Sequence, residues 1–456
     1  MFNPTKQTIL LLLQTDTMIR PIVILFLFLS SMSVAQQLEY EGSLELQGFY
    51  ASEDLPFWMY TNTSTRANAL TNVSGYAFAK AQYDLNESSN IQVGVGIMYR
   101  DGFVDRFERN ELFVSYTTKW LVATVGSKNP SEKYNGLSTS NGNILWSGNN
   151  RAIPGITLES PKELNIGKHF TLDYGLGHYS LNDERYVTDT RIHYKKLGVG
   201  IKVNDKHSFK GTIQHYAQWG GTHPILGELP SGFSDFTKVF LAQNAGDNAE
   251  FNERVNALGN HLGSFDFEYN YKGTTGTFSA YHLHLFEDGS GTAFKNFPDG
   301  IWGLTYAPKD KKLKRILYEY VNTTDQSSGE GRSAGDNYFS NKGYRSGWTY
   351  EGNTIGLPFI LLNPETGLGI SNNLIKAHHL GAFFTFDKLD IQFKVSIVDD
   401  AGSPSNPLTS SIKKFYSYSK ANYHSDYGNI SLLLGADTNS ITKSTVGIGV
   451  GYQYIF

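Results

Sequence analysis

Between Leu389 and Ile397 the chain alternates with a period of two: Leu389, Ile391, Phe393, Val395 and Ile397 fall on one side, and Asp390, Gln392, Lys394 and Ser396 on the other. Successive side chains of a β-strand point to opposite faces, so this stretch reads as a strand with one apolar and one polar face. The same alternation sets Phe265, Phe267, Tyr269 and Tyr271 against Asp266, Glu268 and Asn270. It also sets Ile91, Val93, Val95, Ile97 and Tyr99 against Gln92, Gly94, Gly96, Met98 and Arg100. At the C-terminus, Val446, Ile448, Val450, Tyr452, Tyr454 and Phe456 make an unbroken apolar and aromatic row opposite Gly447, Gly449, Gly451, Gln453 and Ile455. The pattern predicts about eighteen strands, near 38–50, 73–85, 91–100, 109–117, 119–126, 154–161, 168–181, 189–203, 207–219, 263–273, 275–287, 299–307, 312–323, 376–386, 389–400, 413–423, 427–437 and 445–456.

Alternation alone fits two architectures. A soluble sandwich turns the apolar face inward, and an outer-membrane barrel turns it toward lipid. The connections separate the two. Short polar turns at 86–90, 204–207, 272–275, 308–312 and 387–390 alternate with long connections at 51–72, 127–153, 220–262 and 324–375. Outer-membrane barrels have short periplasmic turns and longer outer loops, so loop length should alternate in this way, whereas a sandwich has no reason to keep that rhythm. The fold class predicted is therefore all-β: a transmembrane outer-membrane barrel of about 18 antiparallel strands with long extracellular loops and short periplasmic turns. Closure of the last strand on the first would leave neither as a free edge. The aromatic C-terminal strand also resembles the signal by which such barrels are handed to their insertion machinery, which is expected as a partner beside outer-membrane lipid. One helix is predicted, Phe233 to Ala242, capped by Ser234 and lying within the long fifth outer loop.

Composition narrows the function. There is no cysteine, which excludes disulfides, thiol catalysis, thiolate metal sites and a lipidated N-terminal cysteine. A net charge of -4 over 456 residues offers no basic footprint for nucleic acid. From Met18 the chain reads as a secretory signal peptide, with Arg20, an apolar core from Ile22 to Leu29 and small residues at Ser33 and Ala35. Residues 1–35 are thus expected to be removed, Met18 is read as the true start, and 36–456 as one barrel domain. Localisation in the outer membrane of a Gram-negative bacterium follows.

Other chemistry is thin. His282 with His284, and His378 with His379, fall on strands and read more readily as hydrogen-bonded wall than as metal ligands. Glu319, Asp266 and Glu268 are candidates for the paired carboxylates of glycoside hydrolysis, but charged residues line every barrel lumen. No nucleophile motif and no phosphate-binding loop stands out. The chain is read as no enzyme, with no catalytic residue, cofactor or metal.

Two stretches carry a resemblance. Lys128 to Ser160 contains the run Ser147-Gly148-Asn149-Asn150-Arg151-Ala152-Ile153-Pro154. The strand Tyr318-Glu319-Tyr320 is followed by Tyr344, Gly347 and Gly356-Leu357-Pro358. Together they resemble the Wzi family of capsule-assembly proteins, in the form found in Bacteroidetes-type bacteria. That resemblance implies an eighteen-stranded barrel that binds capsular or other surface polysaccharide and helps attach the capsule to the cell. It departs from enterobacterial members in leaving no room for an N-terminal helical plug, so what closes the lumen is left open. Aromatic faces and planar polar groups suit sugars, which makes Trp146, Asn149, Asn150, Arg151, Tyr344, Arg345, Trp348 and Tyr350 the candidate polysaccharide contacts. Phe57, Trp58, Tyr60, Tyr134, Asn141 and Tyr338 are further candidates. The alternatives are a diffusion porin, with the same barrel and an open lumen, and an outer-membrane enzyme acting on lipid or glycan.

Overall fold

The computed structural model describes residues 38–102, 104–244, 257–310, 312–327 and 336–456. The expected signal peptide and the start at Met18 lie outside the described residues. Among the described residues no helix is long and apolar enough to cross a membrane, and the chain is instead a closed antiparallel sheet. In chain order its strands are Leu38–Ala51, Val73–Asn86, Ser89–Arg100, Val104–Thr117, Val122–Ser127, Gly155–Glu159, Leu164–Ile166, Phe170–Ser180, Arg191–Lys202, His207–Trp219, Asn260–Lys272, Gly276–Phe286, Gly300–Pro308, Leu313–Asn322, Ile375–Phe386, Leu389–Ser403, Asn406–Ser425, Gly428–Asn439 and Thr445–Ile455. Gly155–Glu159 and Leu164–Ile166 both pair with Phe170–Ser180 and share one place, so the barrel has 18 positions.

Closure is made by the C-terminal strand, which pairs with the first from Ser43↔Ile455 to Ala51↔Gly447. Phe456 does not fray: its backbone N–H donates to Gly42 O at 2.9 Å and its carbonyl accepts from Gly42 N at 2.8 Å. With no strand left unpaired, every backbone group in the lipid zone finds its partner within the sheet.

The faces follow the alternation. Phe393 is 44% exposed and Ile397 55%, while Lys394 is 7% exposed and Ser396 fully buried, so the apolar row faces lipid and the polar row the lumen. In the C-terminal strand Val446, Ile448, Val450, Tyr452 and Tyr454 point out and the glycines point in. Those glycines answer to a close approach. A Cβ on Gly447 would lie 2.6 Å from Pro56 Cδ, and one on Gly435 would lie 2.7 Å from Pro56 Cβ. The first outer loop, 52–72, is pressed against that wall from inside.

Two outer connections are tighter than the loop-length rhythm predicts. Ser89–Arg100 and Val104–Thr117 are separated by three residues, and Leu389–Ser403 and Asn406–Ser425 by only two. Residues 406–412 read as loop because they are polar and carry Pro407. They form instead the start of a 20-residue strand whose first six residues are exposed, a hairpin projecting beyond the barrel, where polar side chains are solvated. The helix Phe233–Leu241 is present in the fifth loop, but Ser234 is not its cap: the Asp235 carboxylate accepts from Gly232 N at 3.1 Å. It packs on the outer wall with Val239 against Ala217 and Trp219, on the same outward row as Ile213.

The core sits inside the barrel. Phe57, Trp58, Ile144, Leu145, Trp348, Tyr350, Ile355, Leu357 and Phe359 from the outer loops pack on the lumenal side chains Ile192, Tyr194, Tyr216, Leu283, Ile301, Val321, Ala377 and Val398. Barrels of 16–18 strands are wide enough to leave an aqueous channel. Here that space holds folded loop.

Candidate functional site

The third outer loop, 128–154, and the seventh, 323–374, meet as paired backbones. Ser147 N donates to Ile355 O at 3.0 Å, and Leu357 N to Ile144 O at 2.9 Å. Ser147 Oγ donates to Gly356 O at 2.7 Å, and the Trp348 indole N–H to Leu145 O at 2.7 Å. The run Ser147 to Pro154 and the segment around Gly356-Leu357-Pro358 are therefore two halves of one packed unit within the barrel, rather than two loops arching above it.

The wall holds this unit through buried polar side chains. Glu319 is fully buried, and its two oxygens accept from Ser138 Oγ at 2.6 Å, Thr139 N at 2.7 Å, Thr139 Oγ1 at 2.6 Å and Tyr281 OH at 2.6 Å. His379 bonds Leu137 O and Ser396 Oγ, each at 2.7 Å. Deeper still, Arg315 Nε donates to Asn135 Oδ1 at 3.0 Å and Gln392 Nε2 to Asn135 O at 2.7 Å. The first loop is tied by Trp58 Nε1 to Ser396 Oγ at 2.9 Å, by Phe57 N to Asp437 Oδ2 at 2.6 Å, and to the third loop by Asn62 Nδ2 to Thr139 O at 2.9 Å. Around the remaining wall, the Arg100 guanidinium donates to Thr65 O and Asn110 Nδ2 to Ser64 O. The unit is thus fastened on all sides.

The sixth loop adds two carboxylates. Asp299 accepts from Tyr338 OH at 3.0 Å and Gln326 N at 2.8 Å, and burial raises its pKa to about 6. Glu287 accepts from Phe339 N at 2.7 Å. Loss of hydration, then the neighbouring Asp336 carboxylate, raise its pKa to about 8.

The structure separates the sequence-predicted residues into two groups. Trp348 and Tyr350 are fully buried, and Tyr344 and Asn150 nearly so. Trp146 is half-buried, with ring centroids 4.9 Å from Tyr179 and 6.5 Å from Trp348. Asn149 donates to Thr354 O at 3.2 Å, and Arg151 is occupied by Glu351 and by Arg109 O at 3.0 Å. These seven form the body and floor of the closure. Arg345 alone of the eight is exposed, with its guanidinium 4.9 Å from the centre of the Tyr186 ring. Of the further candidates, Phe57, Trp58 and Tyr338 are buried, and Tyr134 stacks on Tyr281 at 5.5 Å.

Sequence reasoning missed Tyr186, in the fourth loop, and Glu319 as a fastening. The signal for Glu319 was available: a single carboxylate between Tyr318 and Tyr320, on the lumenal row. Its four acceptor contacts leave it committed to the loop. His282 stacks on Trp302 at 3.9 Å and His284 on Phe294 at 4.3 Å, and among the described residues no group of three or more potential ligands stands where it could hold a metal.

An all-β closed sheet with an apolar exterior and a lumen closed by its own outer loops defines an outer-membrane barrel, and its place is the outer membrane of a Gram-negative bacterium. The sequence model of the family described as "Capsule assembly protein Wzi" matches residues 31–398, and the chain belongs to that family. Among solved structures it is similar to Wzi of Escherichia coli, described as an outer-membrane protein involved in group 1 capsule assembly and a carbohydrate-binding β-barrel, at 13% identity, over 90% of this chain and 84% of that one, with a TM-score of 0.58. It is also similar to OprD of Pseudomonas aeruginosa, at 9% identity, over 92% of this chain and 95% of that one, with a TM-score of 0.50. Among curated proteins, none matches the chain.

Proposed function

We propose that this protein binds surface polysaccharide at its outer mouth and holds the capsule to the cell, without catalysing a reaction. The observation that carries the reading is the filled lumen: three outer loops are spent on a packed, hydrogen-bonded closure, which suits a fixed platform and not a diffusion path. Arg345 over Tyr186 supplies the outward contact, a cation for acidic groups beside an aromatic face for a sugar ring. Trp146, Asn149, Asn150, Arg151, Tyr344, Trp348 and Tyr350 shape and support that surface from below. A repeating polymer engages many barrels at once, so each site can be weak while retention is strong. The carbohydrate binding described for Wzi of Escherichia coli supports the same reading. Outer-membrane lipid surrounds the apolar belt, and the strand ending in Phe456 engages the insertion machinery.

Deleting the protein tests this: polysaccharide moves from cells to the medium while its total stays constant. Unchanged retention refutes the reading. The purified protein in planar bilayers gives no stable large openings, and such openings would favour the porin.

A further inference from the structure

Beneath the closure lies a chamber of about 380 Å³, lined among others by Trp58, Asn62, Tyr76, Asn129, Lys394, Tyr418 and Lys420. That volume is within the ~300–1,000 Å³ of ordinary small-ligand sites. Its chemistry is unusual for a wall. Register sets Lys394 opposite Tyr418 and Gln392 opposite Lys420, so two ammonium groups stand on diagonal neighbours of adjacent strands. Among the described residues no carboxylate forms a salt bridge with either. Arg66 is paired with Glu45 at 3.1 Å, and Glu111 accepts from Tyr76 OH at 3.0 Å and Asn129 N at 2.8 Å. The Lys394 ammonium lies instead 5.0 Å from the centre of the Trp58 ring and 5.7 Å from that of Tyr418, and it is only 7% exposed. The Glu132 and Glu319 carboxylates act on Lys394 only at a distance, and a buried cation without a contacting anion is costly, a cost that a bound anion lowers.

Tyr418, half-buried on the chamber wall, offers an aromatic face of the kind a sugar ring stacks on. Glu132 also lines the chamber, so the lining is not a uniformly basic patch.

The chamber faces inward. The third loop descends until Asn135 meets Arg315 and Gln392, the third residue of Leu313–Asn322 and the fourth of Leu389–Ser403 counted from their periplasmic ends. Ser131, Glu132 and Lys133 beside it are exposed, whereas Ser138, Thr139 and Ser140 above it are buried. We propose that this chamber is a second saccharide site, open to the periplasm, that takes an acidic sugar residue beside Lys394 and Lys420 and stacks it on Tyr418. The proposal rests on the polysaccharide reading above and adds the sugar class and the side of entry.

The test uses the purified full chain and two probes, trigalacturonate and maltotriose, in isothermal titration calorimetry. Trigalacturonate binds, and maltotriose binds more weakly. Lys394→Gln with Lys420→Gln weakens the acidic probe about tenfold to hundredfold, the range for losing charge-assisted hydrogen bonds. The same loss is read in the Arg345→Ala background, where the outer cation is absent. Equal binding of both sugars, full displacement by inorganic phosphate, or an unaffected double variant overturns the site. Should the double variant fail to assemble, the half-buried Lys420→Gln alone carries the same comparison. Because the chain has no cysteine, Lys420→Cys reports the side of entry. A maleimide too large for porins labels it only after the outer membrane is permeabilised, and labelling in intact cells overturns the orientation. In cells, retention lost with Arg345→Ala but unchanged in the lysine double variant sinks this site alone. Retention unchanged on deleting the whole protein sinks the reading beneath it.

Discussion

Replacing Glu319 by alanine should loosen the closure without opening the sheet. The carboxylate sits at 0% exposure and accepts four hydrogen bonds of 2.6–2.7 Å, three of them from Ser138 and Thr139 at the turn where the third loop reaches the wall. Each bond to a charged acceptor contributes roughly 1.5–3 kcal/mol, but burying the carboxylate costs several kcal/mol, so the gross sum overstates the effect. Stripping one partner from a buried charged network costs about 3–5 kcal/mol, and here the stranded donors are Ser138 Oγ, Thr139 N, Thr139 Oγ1 and Tyr281 OH. Strand pairing of Leu313–Asn322 with its neighbours is backbone-mediated and survives. The loss therefore falls on local opening of 134–142. Hydrogen exchange in detergent should show amide protection there falling by roughly a hundredfold to a few thousandfold, with strand amides unchanged. Glu319→Gln, which keeps acceptor capacity on one atom only, falls between. Wild-type protection over 134–142 in Glu319→Ala would refute the idea that this carboxylate fastens the loop.

Three further predictions follow from the same geometry. Phe393→Arg puts a charge on the lipid-facing row and should lower barrel stability by about 2–4 kcal/mol near the midplane, read by heat-modifiable migration on a denaturing gel, whereas Lys394→Gln should leave assembly intact; the reverse ranking would invert the register. Gly435→Val forces a Cβ to within 2.7 Å of Pro56 Cβ and should displace the first loop at about 1–3 kcal/mol, seen as faster proteolysis of 52–72 with the strands still protected. Glu287 has its folded pKa raised to about 8, well above the ordinary carboxylate range, so folding favours its protonated form. Its contribution is complete below the unfolded value and is lost as pH rises through about 8, so exchange near Phe339 should quicken over that window and Glu287→Gln should flatten the profile.

The strands were legible because alternation is a local property: Phe393 and Lys394 reveal their faces whatever surrounds them. The inward fold of the loops was not. Trp348 and Tyr350, buried against the wall, have the same residue chemistry as aromatics that would greet a sugar, and nothing local tells a loop whether to arch outward or descend. The glycines of the C-terminal strand were the nearest signal, since Gly447 and Gly449 on a lumenal row leave room for Pro56 and Phe49. The hairpin at 403–406 was hidden for the opposite reason: beyond the membrane both faces of a strand are wet, and the alternation vanishes. Tyr186 escaped notice because its partner Arg345 is 159 positions later in the chain.

The most direct measurement is the partition of polysaccharide between cells and medium in a deletion strain carrying either the wild-type protein or the pair Arg345→Ala and Tyr186→Ala. Both residues lie outside the packed closure, so the variant should reach the outer membrane at wild-type levels and remain heat-modifiable. The account predicts that polymer shifts into the medium with its total amount unchanged. Wild-type retention at wild-type protein levels would contradict it.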